Sequence, residues 1–313
     1  MRALEEYVTK SLSAKGVTEF IDDGYHDNFG LQWNEFDKLQ LDSFNGSNET
    51  SDRLLFQSEL APEYFNGKTV LEDGAGNGRF TEILLSYGAR VVAVDYSSAI
   101  FANFDNHAEF VEKGKLICLR ADVFDLPILK SAFDIVLCYG VIQHTGNNQA
   151  CLQALAQHVK SDGLLLVDIY SNSLKHFNPF IYAIRPFFGR IKRADKKLSI
   201  VRRFVEFIFP TQLRILSYLH KKKSIFRFFR YLVNRSPNSV YGINLYLDKK
   251  ISLENAKKWS VCDTHDAWMP KHDHPVSFKK WKSYLKELRE LDLIVCKESG
   301  QGNCAVLVRN ESN

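Results

Sequence analysis

The stretch Val70-Leu71-Glu72-Asp73-Gly74-Ala75-Gly76-Asn77-Gly78-Arg79-Phe80 sets acidic residues directly before three glycines at alternate positions. Glycine in such a turn lets the backbone approach a ligand in space that any Cβ would fill. The Gly-x-Gly-x-Gly spacing departs from the Gly-x-Gly-x-x-Gly fingerprint that frames a pyrophosphate, and a carboxylate before the first glycine repels phosphate. Both features favour a ligand without phosphates. Asp95 follows Glu72 by 23 residues, within Val91-Val92-Ala93-Val94-Asp95-Tyr96-Ser97, and a carboxylate there can accept hydrogen bonds from ribose hydroxyls. Asp122, in Arg120-Ala121-Asp122-Val123, can accept from an adenine amino group. Taken singly, the glycines read as a tight turn and Asp95 as the neighbour of a helix cap. Their combination, in this order, points to a nucleoside-bearing ligand.

A second constellation lies at Thr264-His265-Asp266-Ala267-Trp268-Met269-Pro270-Lys271-His272-Asp273-His274-Pro275. Imidazole and carboxylate together suit Zn, Mn or Fe. The pairs lack an i, i+4 or Cys-supported spacing, however, and the prolines predict a loop, so no metal is assigned. A polar, aromatic loop there is expected to line a substrate pocket through His265, Trp268 and His272, with His265, Asp266 and His272 as candidate bases.

Positioning these groups requires a sheet. Short runs rich in Val, Ile and Leu at 69–71, 90–95, 116–120, 133–138 and 164–170 alternate with helical patterns at 78–87, 98–106 and 148–159. That alternation predicts an α/β doubly wound domain around a mostly parallel sheet covered on both faces. Ser277 is a helix N-cap candidate before Phe278, Trp281, Leu285 and Leu288, and the runs 291–296 and 304–308 form a terminal hairpin. Seven strands are expected, with an insertion after the fifth. The expected divisions are a helical lead-in at 1–66, the ligand-binding core at 67–173, the insertion at 174–250 and completion of the core at 251–313.

The glycine loop, Asp95, Ala121-Asp122, Phe133-Asp134-Ile135-Val136, Gln143-His144-Thr145 and Lys160-Ser161-Asp162-Gly163 resemble the class I S-adenosylmethionine-dependent methyltransferases over residues 53–170. The chain departs from that family's pattern where Glu72 replaces the more frequent Asp, Asp73 an apolar residue and Asp162 the first glycine of a Gly-Gly pair. The resemblance implies a Rossmann-like fold binding S-adenosylmethionine, with Glu72 near the methionine amino group, Asp95 on the ribose and Asp122 near adenine, and with Tyr96 and Val123 also among the cofactor-binding residues. It also implies Gly74, Ala75, Gly76 and Gly78 in the cradle and the Cys138–Tyr139 backbone near the methionine moiety. Phe29-Gly30-Leu31-Gln32-Trp33 and Gln40-Leu41-Asp42 resemble a lead-in found in enzymes acting on glycans and small metabolites. It implies Phe29 and Trp33 over the cofactor and Arg53 on the methionine carboxylate. Methyl transfer is an in-line displacement, so the enzyme aligns the reactants and, for a hydroxyl acceptor, removes a proton. His144 follows the fourth strand at the ligand end of the sheet and is a candidate base; its bland reading is a loop-ordering hydrogen bond.

Charge is uneven. Residues 174–235 hold 16 basic and two acidic residues, a net +14, so within the total of +4 the remainder carries −10. Basic and aromatic residues interleave in that segment, as in Ile225-Phe226-Arg227-Phe228-Phe229-Arg230-Tyr231-Leu232, and it is expected as helical pieces broken at Pro186, Pro210 and Pro237. Such a segment suits peripheral membrane contact, single-stranded nucleic acid, or a helical lid with its charges in water. Asn178-Pro179-Phe180 follows the fifth strand and lacks a second proline, so it is set aside as an amino-methylating motif. The expected function is O-methylation of a small-molecule, glycan or lipid-linked acceptor. An RNA methyltransferase and a non-catalytic cofactor-binding protein are the alternatives. Six scattered cysteines without a Cys-x-x-Cys pair, and no run of 18 apolar residues, fit a cytoplasmic chain that is at most peripheral to a membrane.

Overall fold

The computed structural model describes residues 2–13, 16–21, 35–173, 178–221, 229, 232–269, 273–300 and 302–310. Strands β1 (Thr18–Glu19), β2 (Thr69–Asp73), β3 (Arg90–Asp95), β4 (Leu116–Arg120), β5 (Phe133–Cys138), β6 (Val159–Tyr170), β7 (Leu291–Ser299) and β8 (Gly302–Arg309) form one sheet. Their order is β1-β4-β3-β2-β5-β6-β8-β7. Pairing is parallel from β1 across to β6 and antiparallel where β8 meets β6 and β7. The strand beyond the expected seven is β1, a two-residue edge whose Thr18 pairs with Leu119. Two residues are too few for a period to reveal it.

The longer helices are α1 (Glu49–Ser58), α2 (Arg79–Ser86), α3 (Ala99–Asn106), α4 (Asn148–Ala156), α5 (Pro179–Gly189), α6 (Ala194–Lys221), α7 (Tyr241–Leu247), α8 (Leu253–Trp268) and α9 (Phe278–Leu285). Alternate strand residues face opposite layers, and because both layers are helical, both sets are apolar. Val70, Val91 and Ala93 pack with Leu54 of α1, Ile83 and Leu84 of α2 and Ile100 of α3. Leu71, Val92 and Val94 share the opposite core with Leu152 and Leu155 of α4 and Trp281 and Leu285 of α9. Ser277 caps α9 by accepting from the Lys280 N–H at 3.3 Å.

The insertion is a helical cap with a core of its own, built from Phe188 of α5, Val201, Val205 and Phe209 of α6, Ile243 of α7 and Trp259, Cys262 and Trp268 of α8. Helix α8 therefore belongs to the cap, and the chain returns to the sheet only where Ser171 bridges Val276. The expected division at 250 falls inside this unit. Pro186 and Pro210 lie within α5 and α6 instead of ending them. Each proline removes an internal hydrogen bond, but burial of the flanking apolar residues keeps the helical course. The region expected as a loop from 264 is helical through Trp268, because Ser252 caps α8 and Trp259, Cys262 and Trp268 line its buried face.

Candidate cofactor and acceptor site

Strand order reverses between β3 and β5 on either side of β2, and ligands bind at such a switch point beyond the carboxyl ends of the strands. A cavity of about 1480 Å³ opens there and runs from the glycine loop to the cap helices. Its size exceeds the usual span of a single-ligand pocket, so cofactor and acceptor can share it.

At the sheet end, Gly74, Ala75 and Gly76 form one wall. Gly74 (φ 75°) packs so closely that a Cβ would stand 2.1 Å from Val141 Cγ2, whereas a Cβ on Gly76 would meet no protein atom within 4 Å. Asp95 lines the same wall and accepts from the Gly76 N–H at 2.7 Å, the Ser97 N–H at 2.7 Å and the Ser97 hydroxyl at 2.6 Å. Burial pushes its carboxyl up, against the pull of these donors. Tyr96, Asp122, Val123 and Tyr139 also line the cavity. Arg53 lines it too, with its guanidinium 2.6 Å from Asp168 and over the rings of Phe80 and Tyr139 at 5.4 and 5.9 Å. Asp168 in turn accepts from the Gly140 N–H at 2.6 Å, which ties β6 to the loop after β5.

Three of the expected cofactor residues lie off this wall. Glu72 points to the opposite side of β2, where its carboxylate accepts from the Thr81 hydroxyl at 2.6 Å. Gly78 caps α2, where a Cβ would stand 2.4 Å from His107 and 2.5 Å from Asn103. Cys138 is buried beneath the wall with its thiol 3.7 Å from Asp73. Alternation along β2 explains the exchange of carboxylates, since with Glu72 turned toward α2 the residue turned to the cavity is Asp73. Phe29, Trp33 and His272 lie outside the described residues.

At the cap end, His144, Asp266 and Trp268 line the cavity, while His265 is fully buried in the cap and burial lowers its pKa to about 4. His144 meets Tyr170 edge-on at 5.8 Å between ring centres. Burial raises Asp266, and the charge of His144 opposes that shift. Asp263, one turn earlier on α8, is pushed up to about 7 by burial and by Asp266. Arg185 of α5 pairs with Asp273 at 2.5 Å and donates to the Ala267 carbonyl at 2.9 Å, fastening α5 over the end of α8. Asp73, Asp168, Asp263 and Arg185 were not singled out from the sequence as site residues. Asp168 sits inside a continuous apolar run, Asp73 takes its place through the alternation of β2, and Asp263 and Arg185 acquire theirs only when the cap closes over the sheet. Among the described residues no group of three or more His, Cys, Asp or Glu side chains is arranged to hold a metal.

The cradle fits an adenosyl ligand. Gly76 leaves open the space a side chain would take, Asp95 and Asp122 present carboxylates at successive strand ends, and the buried Tyr139 hydroxyl has no hydrogen-bond partner among the described residues. A doubly wound sheet with this switch-point cradle defines a nucleoside-binding α/β domain. Residues 71–167 match the family described as "Methyltransferase domain". Among curated proteins, the chain is 32% identical over 150 residues to the mitochondrial ubiquinone biosynthesis O-methyltransferase of Schizosaccharomyces pombe, covering 45% of this chain and 54% of that protein. It is 31% identical over 121 residues to the ubiquinone biosynthesis O-methyltransferase of Coxiella burnetii, covering 38% of this chain and 49% of that one. The chain thus spans about half the length of the curated relatives it matches. Among solved structures, the magnesium protoporphyrin IX methyltransferase of Synechocystis, with bound S-adenosylhomocysteine, aligns over 93% of this chain and 89% of that one at 12% identity, with a TM-score of 0.44.

Proposed function

We propose that the protein transfers the methyl group of S-adenosylmethionine to a hydroxyl of a small-molecule acceptor held at the cap end of the cavity. The observation that carries this reading is the continuity of the cavity from the glycine cradle to His144, Asp266 and the cap helices. The cofactor supplies a methyl group on a positively charged sulfur, which leaves as a neutral thioether. The residues of this chain then have three tasks. Asp95 and Asp122 bind the ribose and adenine, with the glycine loop admitting the ligand close to the backbone. Arg53, held by Asp168, fixes the methionine end. His144 takes the acceptor's hydroxyl proton as the new oxygen–carbon bond forms, and Asp266 stabilises the imidazolium that results.

Two features favour oxygen as the acceptor atom. A histidine beside the cavity suits a hydroxyl, and the relatives from S. pombe and C. burnetii are named as O-methyltransferases of ubiquinone biosynthesis. The basic insertion supports a further reading, that the acceptor is presented at a membrane surface, because α5 and α6 turn rings as well as charges to solvent. Salt-sensitive retention on RNA would instead favour a nucleic-acid acceptor.

Replacing His144 with Ala is expected to leave S-adenosylmethionine affinity within about twofold and to lower turnover by about 10²–10⁴-fold. Near-normal turnover removes His144 from the proton transfer. A folded sample that shows no binding of S-adenosylmethionine by calorimetry overturns the whole reading.

A further inference from the structure

Asp73 is the last residue of β2, where the sheet passes into the glycine loop, and its side chain is 4% exposed in the cavity wall. Its carboxylate is poorly provided for. Among the described residues it accepts one hydrogen bond, from the Cys138 thiol at 3.7 Å, and a thiol is a weak donor. No cation among the described residues pairs with it. Its one side-chain neighbour within hydrogen-bond reach among the described residues is Cys138 of β5, and the charges that act on it, Asp95 at the end of β3 and Asp122 in the turn after β4, are acidic. Asp95 differs in having three donors of its own. Burial, reinforced by Asp95 and Asp122, pushes Asp73 up to about 8, so the free protein near neutral pH holds it mostly as the acid.

The ligand that enters this cavity in the proposed reaction changes charge during that reaction. S-adenosylmethionine carries a sulfonium, and the product S-adenosylhomocysteine carries a neutral thioether with the same amino and carboxylate groups. A buried carboxyl in the cavity wall responds to that difference, because a positive charge nearby favours ionisation. We propose that Asp73 discriminates cofactor from product by charge, giving its proton to solvent when the sulfonium binds and taking one back when the thioether replaces it. The inference rests on the cofactor reading above.

The proton balance is closed. Methylation of a hydroxyl by a sulfonium yields an ether, a thioether and one proton. With Asp73 cycling, one proton leaves the protein when the cofactor binds. The proton removed from the acceptor later replaces it as the sulfonium charge disappears. The single proton of the overall reaction is thereby released at binding instead of at methyl transfer. Restoring the neutral acid also stops the carboxylate from favouring a charged ligand once only product is present.

Calorimetric titration of the full chain with each ligand, in two buffers of different ionisation enthalpy between pH 6 and 8, tests the inference. The sulfonium lowers the pKa of its own ligand's α-amino group, so each free ligand's amine is titrated separately and its contribution subtracted, and the remaining difference isolates the response of the protein to the charge at sulfur. S-adenosylmethionine is expected to release about one-half to one proton more than S-adenosylhomocysteine, and the preference for it is expected to grow about tenfold from pH 6 to 8. Asp73→Asn is expected to abolish both effects while S-adenosylhomocysteine still binds. Equal proton release by the two ligands in the natural protein overturns the inference, as does an unchanged difference in Asp73→Asn. The natural-protein comparison is decisive even if the variant does not fold. Failure of both ligands to bind overturns the cofactor reading itself, an outcome distinct from binding without differential proton release.

Discussion

Gly74 and Gly76 stand two residues apart on one loop, yet a methyl group added to each meets different surroundings. At Gly74 it would lie 2.1 Å from Val141 Cγ2, and at Gly76 it would project into empty cavity. Both positions have positive φ, 75° and 54°, so any L-residue there adds backbone strain of about 1 kcal/mol. The two alanine variants should therefore separate folding from binding. Gly74→Ala is expected to lose a further ~1–3 kcal/mol by overpacking, visible as a lowered Tm. Gly76→Ala is expected to lower Tm only slightly while weakening S-adenosylmethionine by tenfold or more in calorimetry. Equal losses of stability in the two variants would contradict the view that Gly76 faces the ligand. Asp73 and Glu72 make the same point about direction. Residue types alone identify two adjacent carboxylates, but the alternation of β2 decides that Asp73 lines the cavity and that Glu72 bonds to Thr81.

At the level of elements, what the sequence reveals depends on how many neighbours an element needs. Strands β3, β4 and β5 have the expected limits because each is an apolar run ended by charge or turn residues. The Ser277 cap and the terminal hairpin are equally local signals. The helical course through Pro186 and Pro210, and through His265 and Asp266, was not legible, because it depends on a cap core assembled from α5, α6, α7 and α8 together. Assembly of that core also leaves apolar rings outside. Phe207 of α6 is 86% exposed and Phe187 of α5 is 67% exposed, beside the exposed bases Arg190, Lys192, Arg202, Arg203 and Arg214. No helix among the described residues is long and apolar enough to cross a membrane, but rings set among bases suit the interfacial zone of an anionic bilayer. Flotation with vesicles containing phosphatidylglycerol is expected to carry the protein upward at low salt. Phe187→Ser combined with Phe207→Ser should reduce the floated fraction several-fold without lowering Tm, since neither ring belongs to the cap core. Equal flotation of the variant would assign those rings no part in membrane contact.

Over the whole molecule, buried acids within and behind the cavity wall bear on stability. Burial raises the carboxyls of Glu72 and Asp73 to about 8 and that of Asp263 to about 7. An unfolded chain loses those protons near pH 4, so between about pH 4 and 8 the native state binds more protons and stability falls as pH rises. His265 acts in the other direction and elsewhere. Its pKa falls to about 4 in the fold, so its effect is confined to pH below about 6.5, where falling pH destabilises the native state. From pH 6.5 to 8.5 the carboxyl trend stands free of it, and the Tm of the cofactor-free protein is expected to decline across that range. A flat or rising Tm would show that these carboxyls are already ionised in the free fold. Cofactor binding adds a second, separable dependence. A ligand at 100 times its Kd stabilises the native state by about 2.7 kcal/mol, and a ligand that binds the ionised form of Asp73 more tightly gains affinity as pH rises. At fixed ligand concentration, the Tm increment from S-adenosylmethionine should therefore widen between pH 6.5 and 8, while that from S-adenosylhomocysteine stays nearly constant. Parallel increments for the two ligands would mean that the cavity's acids respond to burial alone and take no account of the charge on sulfur.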